Sequence, residues 1–198
     1  FFVTLKGTFW KPMNVVYIYG NTYKKELLLS HRDVQVFQSL LTKVLHSEVL
    51  IINTNIGLEI YYLQVNDCAN QIINSFLGLE ENTSKTMKDY SFIALRTSKK
   101  IRYKTAYFLN RLLKHPSLFK SYTKSLCHQL QAKHKVSRRI NKCFLILWQD
   151  TMIDHSDDWE KPNAKRMLEQ LQNTYILTVY TGFFKEYLSA GLRPLHFN

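Results

Sequence analysis

Between Tyr90 and Gln149 lie fourteen Lys or Arg side chains and no Asp or Glu, so more than half of the 27 basic residues fall in less than a third of the 198-residue chain. Cations at that density neutralise phosphates and release their condensed counterions, the chemistry of polyanion binding. A merely solvated surface mixes both signs to limit self-repulsion. A membrane surface or an acidic protein are the other anions such a run could meet, and nucleic acid is the partner expected of it. The expected phosphate contacts are Lys99, Lys100, Arg102, Lys104, Arg111, Lys114, Lys120, Lys124, Lys133, Lys135, Arg138 and Arg139. Lys6, Lys11, Asn82 and Lys85 join them from outside the run.

Aromatic residues interleave with these cations at Tyr103, Tyr107, Phe108, Phe119 and Tyr122. An exposed ring would stack on an unpaired base, but packing between helices is the commoner fate of each. Trp10, beside Lys11, is the best single stacking candidate, with anchoring of the opening loop on the sheet as its packing alternative.

Catalytic chemistry is thinly represented. Asp150, Asp154, Asp157, Asp158 and Glu160 follow an apolar run, where α/β enzymes place metal-binding carboxylates, so a metal-dependent nucleic-acid enzyme using Asp150 and Asp154 is the enzymatic alternative. They lie in a polar stretch with no hydrophobic shell to raise a pKa and no second acidic strand end to complete a two-metal clamp. There is no GxxxxGK[ST] and no GxGxxG among only six glycines. The seven histidines form no HExxH and no triad with a nucleophile elbow. Cys68, Cys127 and Cys143 are odd in number and far apart, which points to neither a disulfide framework nor a zinc site and suits a reducing compartment. No cofactor, catalytic residue or small-molecule substrate is expected.

The elements that would carry these residues follow from composition and periodicity. At 45% hydrophobic and 14% aromatic, 198 residues bury one sizeable core, and a net charge of +12 invites an anionic partner. Apolar runs such as Cys143–Trp148 are far short of the about 18 residues of a membrane span, and no membrane partner is expected. The sequence opens on Phe1 instead of Met, so a targeting segment would lie ahead of it.

Val15–Tyr19 and Tyr23–Leu29 read as a hairpin or two short strands around Gly20-Asn21. Ser30 caps a helix over 31–45, in which Val34, Phe37, Leu40, Leu41, Val44 and Leu45 share a face. Val49–Ile52 suits a strand buried on both faces. Gly57–Ala69 fits either alternation through Leu58, Ile60 and Tyr62 or a helical stripe. Gln71–Ile73 reads as a strand ended by Leu77-Gly78, and a helix from about Ser84 leads into the basic run. His115-Pro116 divides that run into a helical hairpin, whose second arm carries Leu118, Tyr122, Leu126 and Leu130 as an apolar stripe. Cys143–Trp148 and Thr174–Tyr180 read as strands and Pro162–Gln172 as a helix between them. Together these predict one α/β domain over 1–198: a doubly wound, mainly parallel sheet flanked by helices, with 84–142 as a basic helical excursion inserted between its halves.

The order of motifs resembles the universal small-subunit ribosomal protein numbered two, in its bacterial or organellar form. Lys6-Gly7, Trp10-Lys11-Pro12-Met13 and Tyr17-Ile18-Tyr19-Gly20 are similar to that family's opening stretches. Ile52-Asn53-Thr54-Asn55, Asn74-Ser75-Phe76-Leu77-Gly78 and Asn82-Thr83 are similar to its first buried strand, its Trp-Leu-Gly-Gly loop and a helix start. Phe76 stands where the family has tryptophan and Leu79 where it has a second glycine. The resemblance spans Lys6 to about Tyr180. It implies a helix at Gly57–Ala69 and, after a basic coiled-coil hairpin, a strand ending in Asp150. It also implies a non-catalytic role in the ribosomal small subunit of a mitochondrion, or of another organelle, bound to ribosomal RNA and neighbouring ribosomal proteins. A non-ribosomal nucleic-acid-binding scaffold is the alternative.

Overall fold

The computed structural model describes residues 13–21, 27–80, 86–133, 138–153, 169 and 173. Among them, β1 (Met13–Gly20), β2 (Val49–Thr54), β3 (Gly57–Leu63) and β4 (Tyr90–Leu95) form one sheet in the order β2-β3-β1-β4. Every pairing in it is antiparallel. The helices are α1 (His31–Leu45), α2 (Ala69–Glu80), α3 (Ser98–Leu113), α4 (Pro116–Lys133) and α5 (Arg138–Ile153).

Strand side chains alternate between faces, and here both sets are apolar, so both faces need cover. Val16, Ile18, Val49, Ile51, Leu58, Ile60 and Tyr62 pack with Val34, Phe37 and Leu41 of α1 and Ile72 and Phe76 of α2. Val15, Tyr17, Leu50, Ile52, Tyr61 and Leu63 pack with Ile101 and Leu109 of α3, Phe119 and Tyr122 of α4, and Phe144 and Trp148 of α5. The result is a three-layer sandwich with α1 and α2 on one face and the basic helices on the other.

Local chemistry sets the element ends. The Ser30 hydroxyl accepts from the Asp33 amide at 3.2 Å and starts α1 where its sequence predicts. Glu48, just before β2, reaches across to α5, where its carboxylate accepts from the amides of Arg139 at 2.8 Å and Ile140 at 3.0 Å. A carboxylate on the first turn satisfies orphan donors and complements the helix dipole. Asn21 joins β1 to β4: its amide nitrogen donates to the Lys88 carbonyl and its side-chain oxygen accepts from Ser91.

Several expectations are corrected. The sheet is antiparallel and not mainly parallel: runs buried on both faces report two helical layers, which either strand direction can serve. Gly57–Ala69 is not a helix: Leu58, Ile60 and Tyr62 alternate as β3, joined to β2 by a two-residue turn at Asn55-Ile56. Gln71–Ile73 lies inside α2, where Ala69, Ile72 and Phe76 make a helical face, and Gly78 does not end it. Tyr90–Leu95 is a strand, not part of a helix from Ser84, so 84–142 is not an excursion from the sheet but supplies one of its edges. Cys143–Trp148 is helical within α5: Ile140, Phe144, Leu147 and Thr151 recur at helical spacing once the window extends past the apolar run. At Tyr23–Leu29, residues 27–29 are not in a strand and the rest lie outside the described residues. Pro162–Gln172 lies outside them except for Glu169, which is helical, and Thr174–Tyr180 lies outside them entirely.

Two glycines separate backbone need from tolerance. Gly57 opens β3 at φ +152°, and a Cβ there would stand 2.4 Å from the Ile18 carbonyl oxygen, whereas one at Gly78 meets nothing within 4 Å. Gly57→Ala is expected to destabilise the fold by more than about 1 kcal/mol, and Gly78→Ala to stabilise it by about 0.4–1 kcal/mol. Urea midpoints of the two variants check the pair.

Candidate nucleic-acid interface

The basic helices are held to the sheet by a buried polar contact. Glu59 points from β3 into this interface and is only 7% exposed. Its Oε2 accepts from the Tyr61 hydroxyl at 2.7 Å and its Oε1 from the Tyr122 hydroxyl at 2.6 Å. Tyr122, on α4, stacks on Trp148 of α5 at 6.0 Å and meets Phe108 of α3 edge-on at 4.9 Å. One tyrosine thus touches the sheet and both neighbouring helices.

Burial pushes the Glu59 carboxyl above its ordinary range, a shift opposed by the hydrogen bonds from Tyr122 and Tyr61 and by the Lys104 charge. Burial and the Glu59 charge in turn raise Tyr61 and Tyr122 well above the usual phenol value. A perturbed carboxyl in a cleft is a candidate acid or base. The cavity beside it is about 10 Å³, lined by Tyr17, Glu59, Tyr61, Lys104 and Trp148 among others, and has room for about one water. The cluster joins the sheet to the helical layer through Tyr122.

With their inner sides fixed, the helices turn their basic sides outward. On α3, Ile101, Thr105, Leu109 and Leu112 are buried, and Lys99, Lys100, Arg102, Tyr103, Tyr107 and Arg111 are exposed. Lys100, Tyr103, Tyr107, Arg111 and the C-cap Lys114 are spaced three or four residues apart, one continuous outer stripe opposite the buried one. The first turn of α3 holds Lys99 and Lys100 and no acidic residue. Cations there oppose the positive end of the helix dipole, a local cost that a bound anion would offset. On α4, Phe119, Tyr122 and Leu126 face inward while Lys120 and Lys124 are exposed. The apolar side of α4 therefore runs through Phe119, with Leu118 half-buried.

The other expected contacts are distributed differently. Lys104 is half-buried with its ammonium 6.0 Å and 5.8 Å from the ring centroids of Tyr17 and Tyr19, at the outer range of a cation–π contact. The Arg139 side chain is exposed while its backbone amide is held by Glu48. Lys133 and Arg138 are placed by the backbone of α4 and α5 alone. Lys6, Trp10, Lys11, Asn82, Lys85 and Lys135 lie outside the described residues. Asp150 is in α5, so the acidic segment does not follow a strand, and Asp154 lies outside the described residues. Among the described residues no group of three or more His, Cys, Asp or Glu could hold a metal ion. Cys68 and Cys143 are free thiols, both raised by burial. No helix among the described residues is long and apolar enough to cross a membrane.

Of the aromatic candidates, Phe119 and Tyr122 are buried and Phe108 half-buried, whereas Tyr103 and Tyr107 are exposed by 75% and 53%. Their spacing opposite Ile101, Thr105 and Leu109 was the signal that separates them from the packed rings. Glu59 and its tyrosine partners carried no such signal.

The chain matches no family model, no curated protein and no solved structure to which it was compared.

The raised Glu59 carboxyl has a consequence for stability. Its proton is held more tightly in the folded chain than in the unfolded one, so its contribution is complete below about pH 4.5 and is lost as pH rises through the folded-state value. Stability is expected to fall over that interval, and Glu59→Gln to flatten the slope. Urea midpoints across the acid-to-neutral range compare the two proteins, and equal slopes would reject this account of Glu59.

Proposed function

We propose that this chain is a non-catalytic RNA-binding protein that attaches through phosphate contacts spread over the outer faces of α3 and α4. The observation that carries the proposal is the segregation of charge: the described outer residues of these helices include Lys99, Lys100, Arg102, Arg111, Lys114, Lys120 and Lys124, all exposed, in a stretch without a carboxylate. Such a surface binds by counterion release, with many weak contacts and a strong dependence on salt.

The particle we propose is the small ribosomal subunit of a mitochondrion or another organelle, with ribosomal RNA and neighbouring ribosomal proteins as partners. This address is supported by the motifs at Trp10-Lys11-Pro12-Met13, Tyr17–Gly20 and Asn74–Gly78. Two implications of the same resemblance fail, since Gly57–Leu63 is a strand and the residues leading to Asp150 are helical. The RNA-binding proposal therefore stands on charge, and the ribosomal address on the motifs alone.

Replacing Lys99, Lys100, Arg111 and Lys114 together with Gln is expected to weaken RNA binding and reduce the slope of log affinity against log salt by up to about 3, while Lys104 keeps its place over the tyrosine rings. Filter binding over a salt series measures this, and an unchanged slope would place the RNA elsewhere. Co-sedimentation of the tagged chain with organellar small subunits tests the address separately.

A further inference from the structure

We propose that the outer stripe of α3 is a platform for single-stranded RNA, on which Tyr103 and Tyr107 stack unpaired bases while Lys100, Arg111 and Lys114 hold the flanking phosphates. This deepens the RNA-binding proposal and rests on it.

An isolated apolar or aromatic side chain at a surface needs no explanation. Tyr103 and Tyr107 are not isolated: they are 75% and 53% exposed, one helical turn apart, on the side of α3 opposite Ile101, Thr105 and Leu109. The same helical layer buries Phe119 and Tyr122, so it has a core in which rings are placed, and these two stand outside it. Basic residues bracket them in the same stripe, Lys100 before Tyr103 and Arg111 and Lys114 after Tyr107.

An acidic protein surface would satisfy the cations and can take hydrogen bonds from the tyrosine hydroxyls. Stacking on a base uses the rings alone, so replacement of both tyrosines by phenylalanine separates the two partners. Duplex RNA would meet only the cations and not the rings, because its bases are already stacked on one another. An unpaired strand meets both, since every base presents a π-face and every nucleotide a phosphate. The spacing agrees. Residues four apart on a helix are separated by about 6 Å along its axis, against about 3.4 Å per nucleotide of a stacked strand. The two rings therefore cannot serve adjacent bases of a continuous stack, and suit either one base between them or bases splayed from the strand. Recognition of this kind reads the absence of pairing more than the identity of the base.

The test uses the full chain with three polyanions: an unstructured uridine oligomer, a blunt RNA duplex of the same length, and polyglutamate. Tyr103→Ala with Tyr107→Ala is expected to lose at least about tenfold in affinity for the single strand and to keep its affinity for the duplex. Tyr103→Phe with Tyr107→Phe keeps the rings and is expected to bind the single strand within about twofold of the parent. Because both side chains are exposed, the urea midpoint of each variant should match the parent. Unchanged single-strand binding by the alanine pair, equal loss on strand and duplex, or loss by the phenylalanine pair would each overturn the platform while leaving RNA binding intact. Polyglutamate bound as tightly as RNA and equally sensitive to the alanine pair would overturn it in favour of a protein partner. Failure of the parent chain to bind either RNA would instead remove the RNA-binding proposal itself.

Discussion

A carboxylate taken out of water must be compensated on the spot, and the placement of the helical layer depends on how Glu59 meets that demand. Each of its oxygens accepts one tyrosine hydroxyl, Tyr61 from its own strand and Tyr122 from α4. The Tyr122 contact fixes more than a proton. Its ring lies between Trp148 and Phe108, so the hydrogen bond that satisfies Glu59 also sets where α4 lies on β3 and how α3 and α5 meet it. Lys104 approaches the same interface from α3, over Tyr17 and Tyr19, and its charge lowers the carboxyl toward ionisation against the burial that raises it. A hydrophobic contact at this position would tolerate sliding; the directed hydrogen bond from Tyr122 to a buried carboxyl group does not.

Because the inner face of the layer is fixed in this way, the orientation of the outer face follows. In α3 the buried residues Ile101, Thr105, Leu109 and Leu112 leave Lys100, Tyr103, Tyr107 and Arg111 on the far side. On the opposite face of the sheet, closed by α1 and α2, the Phe76 ring meets both Phe37 and Tyr90. Each side of the sheet thus packs a core of its own, and the charged residues of α3 and α4, on one side, are all basic.

How much of this was legible depended on how far along the chain each signal extends. Helix α1 was readable because its cap, Ser30, and its face through Val34, Phe37 and Leu41 lie within one window of sequence. The break at His115-Pro116 was readable because proline acts on its immediate neighbour. Cys143–Trp148 misled because six apolar residues cover less than two helical turns, and Ile140 and Thr151, which restore the helical period, lie outside the run. Strand direction was not legible, since burial on both faces is a property of layers and not of parallel pairing. Alternation at Leu58, Ile60 and Tyr62 left a strand open beside a helical stripe, and the family resemblance turned the expectation to the helix, where the structure has β3. The basic stripe was visible as composition, but its division into outward and inward cations needed the fold, which turned Lys104 over the tyrosine rings. Glu59 could not be found in advance: it is one acid in an apolar strand, and Tyr122 lies 63 residues away.

Charge is also divided between the elements of the fold: α3 and α4 carry no carboxylate. Several acidic residues are already engaged within the structure. Asp33 accepts from Ser30, Asp67 from the Ala69 amide and from Arg96, and Asp89 from the Thr86 amide. Glu48 accepts from the first turn of α5 and Glu59 from two tyrosines. Each of these carboxylates satisfies a cap, a turn or a buried donor, and none of them stands on α3 or α4. The described cations of α3 and α4 therefore stand on two helices that hold no acidic residue of their own. Repulsion among them is screened by salt in the free chain, over a Debye length of about 8 Å at physiological ionic strength. A polyanion laid along the layer removes it directly, and so the binding energy we propose for RNA and the electrostatic strain of the unbound helices have one source.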